Sequence, residues 1–150
     1  MLTENDVVDA VADYLASNGY HIASKCSTDE RGIDIVAEHS GKNVRLLVEA
    51  KGGTSSKIGT RNYGKPFKHS QAKSHVSVAF YYAAMLLEKH SAESTHVALA
   101  FPDDSTHRHL VNDIASSLRA LGISVFFVND SLCVTASIPE NYSVLSSNIP

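Results

Sequence analysis

Two stretches in which apolar and polar residues alternate, at positions 32–37 and 44–51, predict a pair of adjacent β-strands. Between them lies Ser40-Gly41-Lys42-Asn43, and a two-residue type II′ turn with Gly41 first would pair Ser40 with Asn43. One face of the resulting hairpin is entirely apolar and would carry Ile33, Ile35, Ala37, Val44, Leu46, Val48 and Ala50. A slip of one residue would move charges onto that face, so the pattern strongly specifies the register.

A first helix is predicted ahead of this hairpin. Thr3 can cap it, with Asp6 reaching back as in a capping box, and Asn18-Gly19 ends it. Its apolar stripe consists of Val8, Val11, Ala12 and Leu15. A short strand over 20–25 and a polar loop then lead into the hairpin.

The second half of the chain predicts alternating helices and strands. They are, in order, a helix over 71–90 capped by Ser70, a strand over 96–101, a helix between Thr106 and Gly122, a strand over 123–128, and a short return strand over 132–134. The third helix would bury Leu110, Ile114, Leu118 and Leu121. The order α-β-β-β-α-β-α-β, with a last short strand, predicts an α/β fold in which helices flank a central mixed sheet. We expect one domain over 1–136 and a loosely held tail over 137–150.

The composition is that of an ordinary soluble domain, and 150 residues suit a single core. The acidic start of the chain predicts no signal peptide, and the longest nearly apolar stretch, 76–87, is too short to span a bilayer. Cys26 and Cys133 form no CxxC pair, which indicates free thiols in a reducing compartment. We therefore expect a cytoplasmic protein.

Charge is distributed unevenly along the chain. No Asp or Glu occurs between Gly52 and Leu87, and this segment carries five cations: Lys57, Arg61, Lys65, Lys68 and Lys73. Because the whole chain has a formal charge of −3, the remainder carries −8. Such asymmetry suggests a local anionic partner, although a basic solvated loop is the simpler reading.

The predicted hairpin register brings two carboxylates together. Asp34 and Glu49 would lie directly opposite each other, with Cβ atoms roughly 5 Å apart, and Lys51 would share their face. Val36 and Leu47 on the same face indicate that it is partly covered. Two half-buried acids at this separation repel, so one takes up a proton unless a cation lies between them. A divalent metal would meet that requirement.

These pieces resemble the PD-(D/E)XK nuclease superfamily, which has the restriction-endonuclease-like fold. The chain is most similar to archaeal Holliday-junction resolvases and Mrr-type nucleases. The residues that carry the resemblance are 18–20, 32–36 and 47–51, although Ile33 stands where the proline of the motif would be.

The resemblance implies Mg²⁺-dependent hydrolysis of phosphodiester bonds, usually in DNA, with Mn²⁺ as a substitute. Asp34, Glu49 and the Ala50 carbonyl would bind the metal, and Lys51 would position or activate the attacking water.

The sequence does not decide the roles of three further candidate site residues, Glu4, Gln71 and His75. Glu4 lies on the inward face of the first helix, but it could equally be a first-turn acid favoured by the helix dipole. Gln71 on the second helix is a candidate catalytic helper, and His75 lies one turn later on the same face. The lysines and the arginine of 52–87 would contact phosphates and read no sequence, which predicts low specificity unless a protein partner supplies it. Homodimerisation is compatible with double-strand cleavage.

Two other readings remain. The chain could be a non-catalytic nucleic-acid-binding or partner-docking module that keeps the nuclease fold. An enzyme of another chemistry would need different groups. His107-Arg108-His109 has no third ligand nearby, and no histidine can be placed beside Cys26, so neither predicts a site.

Overall fold

The computed structural model describes residues 1–55, 57–92 and 94–137. Over these residues the protein is α/β, with a six-stranded mixed sheet and four α-helices. In chain order the elements are α1 Glu4–Ser17, β1 His21–Lys25, β2 Ile35–His39, β3 Val44–Ala50, α2 His69–Lys89, β4 Thr95–Pro102, α3 Ser105–Asp113, α4 Ala115–Leu121, β5 Ser124–Val128 and β6 Val134–Ser137.

The strands lie in the sheet in their chain order, from β1 to β6. The three central strands, β3, β4 and β5, are parallel, while β1, β2 and β6 pair antiparallel to their neighbours. The parallel strands are almost continuously buried because helices cover both faces. Helix α1 packs on one face, and α2, α3 and α4 contribute to the apolar cluster on the other.

The predicted hairpin register is confirmed. Ile35 pairs with Val48 and His39 pairs with Val44, as the alternation required. The predicted type II′ turn is wrong: Ser40–Lys42 form a turn of 3₁₀ helix, and Asn43 takes the left-handed conformation with φ 49°. The predicted turn and the observed turn are both centred between Gly41 and Lys42, so the strand pairing is the same in both.

Both faces of the hairpin are covered as expected, the apolar one in the core and the other one in part, since Glu38 stays exposed. The apolar face packs against α1, and Val36 and Leu47 on the other face belong to the cluster beneath α2. The prediction for Ile33 is wrong, because it packs against this second cluster rather than with Ile35. Strand β2 begins only at Ile35, so the strict alternation of faces does not extend back to Ile33.

The helix boundaries are partly as predicted. The Thr3 and Asp6 capping box is present in α1, and Gly19 follows the helix with φ +86°. Helix α2 begins at His69, with Lys68 rather than Ser70 at the cap position. The single helix predicted after Thr106 is wrong. It is two helices that meet at Ile114, whose φ of −115° and ψ of 13° break the helical path.

Two further differences from the predictions lie near the end of the described chain. Leu121, expected in the core, is the last residue of α4 and is 47% exposed, whereas Leu118 one turn earlier is buried as expected. The return strand starts at Val134 rather than Leu132, since Leu132 has a positive φ of 61°. Of the predicted tail, only Ser137 lies within the described residues, and it ends β6. In the described part of the chain, no helix combines the length and apolar character that crossing a bilayer requires.

Candidate active site

The candidate site lies where β3 ends. Glu49 and Ala50 are the last two residues of β3, and Lys51 follows directly. Asp34 immediately precedes β2, and its backbone carbonyl accepts a hydrogen bond from the Cys26 N–H at 2.9 Å. Its side chain crosses to β3, where Oδ2 accepts from the Ala50 N–H at 2.7 Å. The structure thus brings Asp34, Glu49 and Lys51 together.

Lys51 lies at the centre of this cluster. Its Nζ donates to Glu49 Oε1 at 2.7 Å and to the Ala50 carbonyl oxygen at 2.8 Å. Glu4, at the start of α1, places Oε2 3.6 Å from the same nitrogen. The side chains of Lys51, Glu4 and Glu49 are only 15%, 22% and 10% exposed. Three carboxylates therefore surround one ammonium group, which leaves a formal charge of −2 in a poorly solvated place.

The electrostatics reflect this excess of negative charge. Burial raises the pKa of Asp34, although the Ala50 N–H and the charge of Lys51 oppose the shift. Burial and the charge of Asp34 raise the pKa of Glu49, and burial also raises that of Glu4. Burial alone would lower the pKa of Lys51, but its hydrogen bond to Glu49 and the nearby carboxylates raise it. The carboxyl groups favour either a proton or an additional cation.

The donor set is suitable for Mg²⁺. Asp34, Glu49 and the Ala50 carbonyl offer oxygen atoms, and Mg²⁺ is commonly held by one or two carboxylates together with waters and substrate phosphate. Two of these ligands already hold a cation, the ammonium of Lys51, at normal hydrogen-bonding distances. Within the described residues, no group of three or more His, Cys, Asp or Glu side chains forms a ready-made metal cage. A divalent ion that bound these oxygens would compete for them with the ammonium group of Lys51.

Glu4 reaches the site because Gly52 lets α1 approach closely. A Cβ atom built on Gly52 would lie 2.7 Å from the Thr3 carbonyl carbon and closer still to the Glu4 nitrogen. The Gly53 N–H also donates to the Leu2 carbonyl at 2.9 Å. The pair of glycines after Lys51 is the signal that could have placed Glu4 beside it, and sequence reasoning did not use it.

The two candidates on α2 have different surroundings. Gln71 Oε1 accepts from the Lys68 N–H at 3.0 Å and so caps the helix. His75 packs edge to face on Phe67, with ring centroids 4.5 Å apart. Burial lowers the pKa of His75, and the charge of Lys51 adds to the shift. His75 thus lies within reach of the charge of Lys51, and a catalytic role for either Gln71 or His75 stays a prediction.

A cleft of about 390 Å³ opens beside the cluster, and we call it the Phe67 cleft. Glu4, Gly52, Lys57, Phe67 and His75 are among the residues that line it. Its walls come from the start of α1, the connection between β3 and α2, and the first turns of α2. Glu4, Asp34 and Glu49 form what we call the carboxylate cluster. The cleft thus runs from Glu4 of this cluster into the segment 52–87, which contains no Asp or Glu.

The five cations of that segment are exposed but do not share one location. Lys57 lines the Phe67 cleft, while Lys73 lines a separate hollow between α2 and α3 with Phe80 and Asp113. Arg61, Lys65 and Lys68 lie on the surface of the connection between β3 and α2. Their contact with nucleic acid stays a prediction.

The histidine run after Asp104 forms no metal site. His107 is 2% exposed, and its Nδ1 lies 2.7 Å from Asp104 Oδ2, whereas His109 is 68% exposed and lies 3.8 Å from Asp113. The two imidazoles therefore lie in different environments, that of His107 in the core and that of His109 on the surface.

No protein-family model and no curated protein matches the chain. Among solved structures, it is similar to an FdxN element excision controlling factor protein from Anabaena variabilis, with a TM-score of 0.55 at 14% identity. That similarity covers 91% of this chain and 99% of the other, so the two proteins share a fold over nearly their full lengths. A second structure, SfsA from Pyrococcus furiosus in complex with Ca²⁺, has a TM-score of 0.39 at 12% identity. It covers 86% of this chain and 58% of SfsA, and this TM-score is too low to support a common architecture.

Proposed function

We propose that this protein is a divalent-metal-dependent nuclease that hydrolyses phosphodiester bonds, in DNA first of all, on a restriction-endonuclease-like fold. The observation that carries the proposal is the convergence of Asp34, Glu49, the Ala50 carbonyl and Lys51 at the end of β3. The order of elements before this point, one helix and then three antiparallel strands, supports the proposed fold.

In the proposed mechanism, Asp34, Glu49 and the Ala50 carbonyl would hold Mg²⁺. The metal would polarise the scissile phosphate and lower the pKa of a bound water. Lys51, displaced from the Ala50 carbonyl, would place its positive charge where negative charge develops on the phosphate. Glu4, 3.6 Å from the Lys51 nitrogen, would keep that ammonium group close to the cluster.

Weak sequence specificity is part of the proposal. The exposed cations of the connection between β3 and α2 suit contacts with phosphates, and such contacts carry no sequence information. We therefore expect the structure of the substrate, or a protein partner, to direct cleavage.

A second candidate function is that of a nucleic-acid-binding or partner-docking module without catalysis. One observation favours it: the ammonium of Lys51 already provides a cation to Glu49 and the Ala50 carbonyl. The cluster can thus be held together without a metal. The similar protein from Anabaena variabilis is an FdxN element excision controlling factor, and a regulatory rather than a catalytic role for the present protein would be compatible with that name.

Cleavage assays separate the two candidates. Supercoiled plasmid, linear single strands and branched duplexes would be incubated with the protein in Mg²⁺, Mn²⁺ or chelator. The nuclease proposal predicts metal-dependent products that disappear in the isosteric variant Glu49→Gln, purified identically to control for contaminating nucleases. Calorimetric titration of the free protein with Mg²⁺ should show binding that Glu49→Gln removes. If the wild type neither cuts any substrate nor binds either metal, the binding module is the better description.

A further inference from the structure

The Phe67 cleft differs in charge from the surface around it. Of its described lining residues, one is acidic, Glu4, and one is basic, Lys57, so their formal charges cancel. The remaining cations of the 52–87 segment, Arg61, Lys65, Lys68 and Lys73, do not line it. A site built mainly for phosphate would be expected to gather positive charge, and this cleft does not.

The rest of its lining suits a flat, neutral group that forms hydrogen bonds. Hydroxyl or amide groups are supplied by Thr28, Thr54, Ser55, Thr60 and Asn62. The three threonine hydroxyls already donate their hydrogens within the protein, so towards a ligand they act as acceptors. Two aromatic rings, those of Phe67 and His75, form an edge-to-face pair at the same cleft. Aromatic side chains and polar groups that converge on one small cavity are the usual means of holding an unstacked nucleobase.

Size and position point to one nucleotide. About 390 Å³ is at the lower end of the range of roughly 300–1,000 Å³ for ligand cavities, which suits one base better than a base pair with its backbone. Glu4 belongs both to the carboxylate cluster and to the cleft wall. A nucleotide whose phosphate lies at the cluster could therefore place its own base, or that of a neighbour, in the cleft.

We propose that the Phe67 cleft binds a single unpaired nucleobase, and that the protein consequently acts on single-stranded or distorted nucleic acid. This inference rests on the proposed nuclease function for the phosphate at the cluster, but base binding can be measured without cleavage. A base inside a regular duplex must first leave its stack and its partner, which costs free energy. Single strands, bulges and branch points avoid most of that cost.

The test is a binding titration in chelator, where no metal-dependent cleavage occurs. The probes are a single-stranded oligonucleotide with one 2-aminopurine, its fully paired duplex, and a version with an abasic site in place of the 2-aminopurine. We expect the single strand to bind more tightly than the duplex, and the fluorescence of 2-aminopurine to change as the base stacks. Phe67→Leu should weaken binding of the single strand at least about fivefold, the lower limit for loss of one aromatic stacking partner.

Tyr81→Leu is the matched control, because Tyr81 is an aromatic residue 66% exposed on α2 and does not line the cleft. Its affinity should equal that of the wild type. If circular dichroism shows that Phe67→Leu does not fold, Asn62→Leu replaces it, with the same expected direction of change.

Equal affinity for single strand, duplex and abasic strand, with no effect of the folded cleft variant, would overturn the base site. Cleavage in Mg²⁺ together with that result would leave the nuclease proposal standing. Conversely, base binding without cleavage in any metal would refute the proposed hydrolysis and would support the cleft as a base-binding site.

Discussion

Replacing Gly52 by alanine tests whether the close approach of α1 builds the candidate site. The added Cβ would lie 2.7 Å from the Thr3 carbonyl carbon and 3.1 Å from the Glu4 Cα, so backbone atoms rather than a flexible side chain must move. Gly52 is not among the glycines with positive φ, so the substitution brings no conformational strain of its own. The expected cost is that of overpacking, about 1–3 kcal/mol of unfolding free energy.

This displacement would act at the first turn of α1, where Thr3 and Asp6 form the capping box and Glu4 faces Lys51. In a domain of this size the cost corresponds to a fall in Tm of about 3–10 °C. We also expect a loss of metal-dependent cleavage, because Glu4 would move away from the Lys51 ammonium.

Gly41→Ala is the matched control for Gly52→Ala. Gly41 also lacks a positive φ, and its added Cβ would lie no closer than 3.4 Å to any neighbour, the His39 side chain. Such a change should be neutral or slightly stabilising, since alanine restricts the unfolded chain. Thermal and urea denaturation of both variants measure the difference. If Gly52→Ala were as stable as Gly41→Ala, the close packing of α1 on the end of β3 would be refuted.

Three further predictions concern the charges of the site and its surroundings. Burial raises the pKa of Glu49 and Asp34, so the folded protein binds protons more tightly than the unfolded chain. The stability of the metal-free protein should therefore fall as pH rises from the ordinary carboxyl range to the raised pKa, and Glu49→Gln should gain in Tm relative to the wild type over that window. A Tm difference that is independent of pH would contradict this. Lys51→Met leaves the carboxylates without their ammonium partner and should lower the free energy of unfolding by about 1–3 kcal/mol at pH 7. The loss should be smaller in acid, where the carboxylates are protonated, and the variant should not cleave. Unchanged cleavage by a folded variant would reject the role of Lys51. Lys65→Glu with Lys68→Glu should weaken DNA binding and reduce the slope of log affinity against log salt by up to about 2.

The control for the last pair is Lys89→Glu with Arg119→Glu. Both residues are exposed and lie outside the connection between β3 and α2, yet the change in net charge is identical. If the two double variants had the same salt slope, overall charge and not the location of the cations would govern binding.

The sequence alone determined those features that depend on local periodicity and on short-range hydrogen bonds. The alternation around the hairpin set its register, because any slip would have buried charges, and this held although the turn type was different. The capping box of α1 was likewise readable from Thr3 and Asp6.

Tertiary structure decided the features that depend on contacts between distant segments. Ile33 lies on the other face because β2 starts only at Ile35, and a break at Ile114 divides the predicted third helix into two. The position of Glu4 beside Lys51 depends on α1 meeting the backbone of Gly52, a contact that no periodicity reports.

The same limit applies to the chemistry of the site. The sequence placed Asp34, Glu49 and Lys51 in one neighbourhood, because pairing across a hairpin is a local matter. Only the tertiary structure shows that Lys51 donates hydrogen bonds to Glu49 and the Ala50 carbonyl, and that Gln71 accepts one from the Lys68 N–H at the start of its own helix. The reason is physical: a pattern of residue types fixes which side chains lie near each other, whereas burial and competition among neighbouring donors and acceptors fix which of them bind.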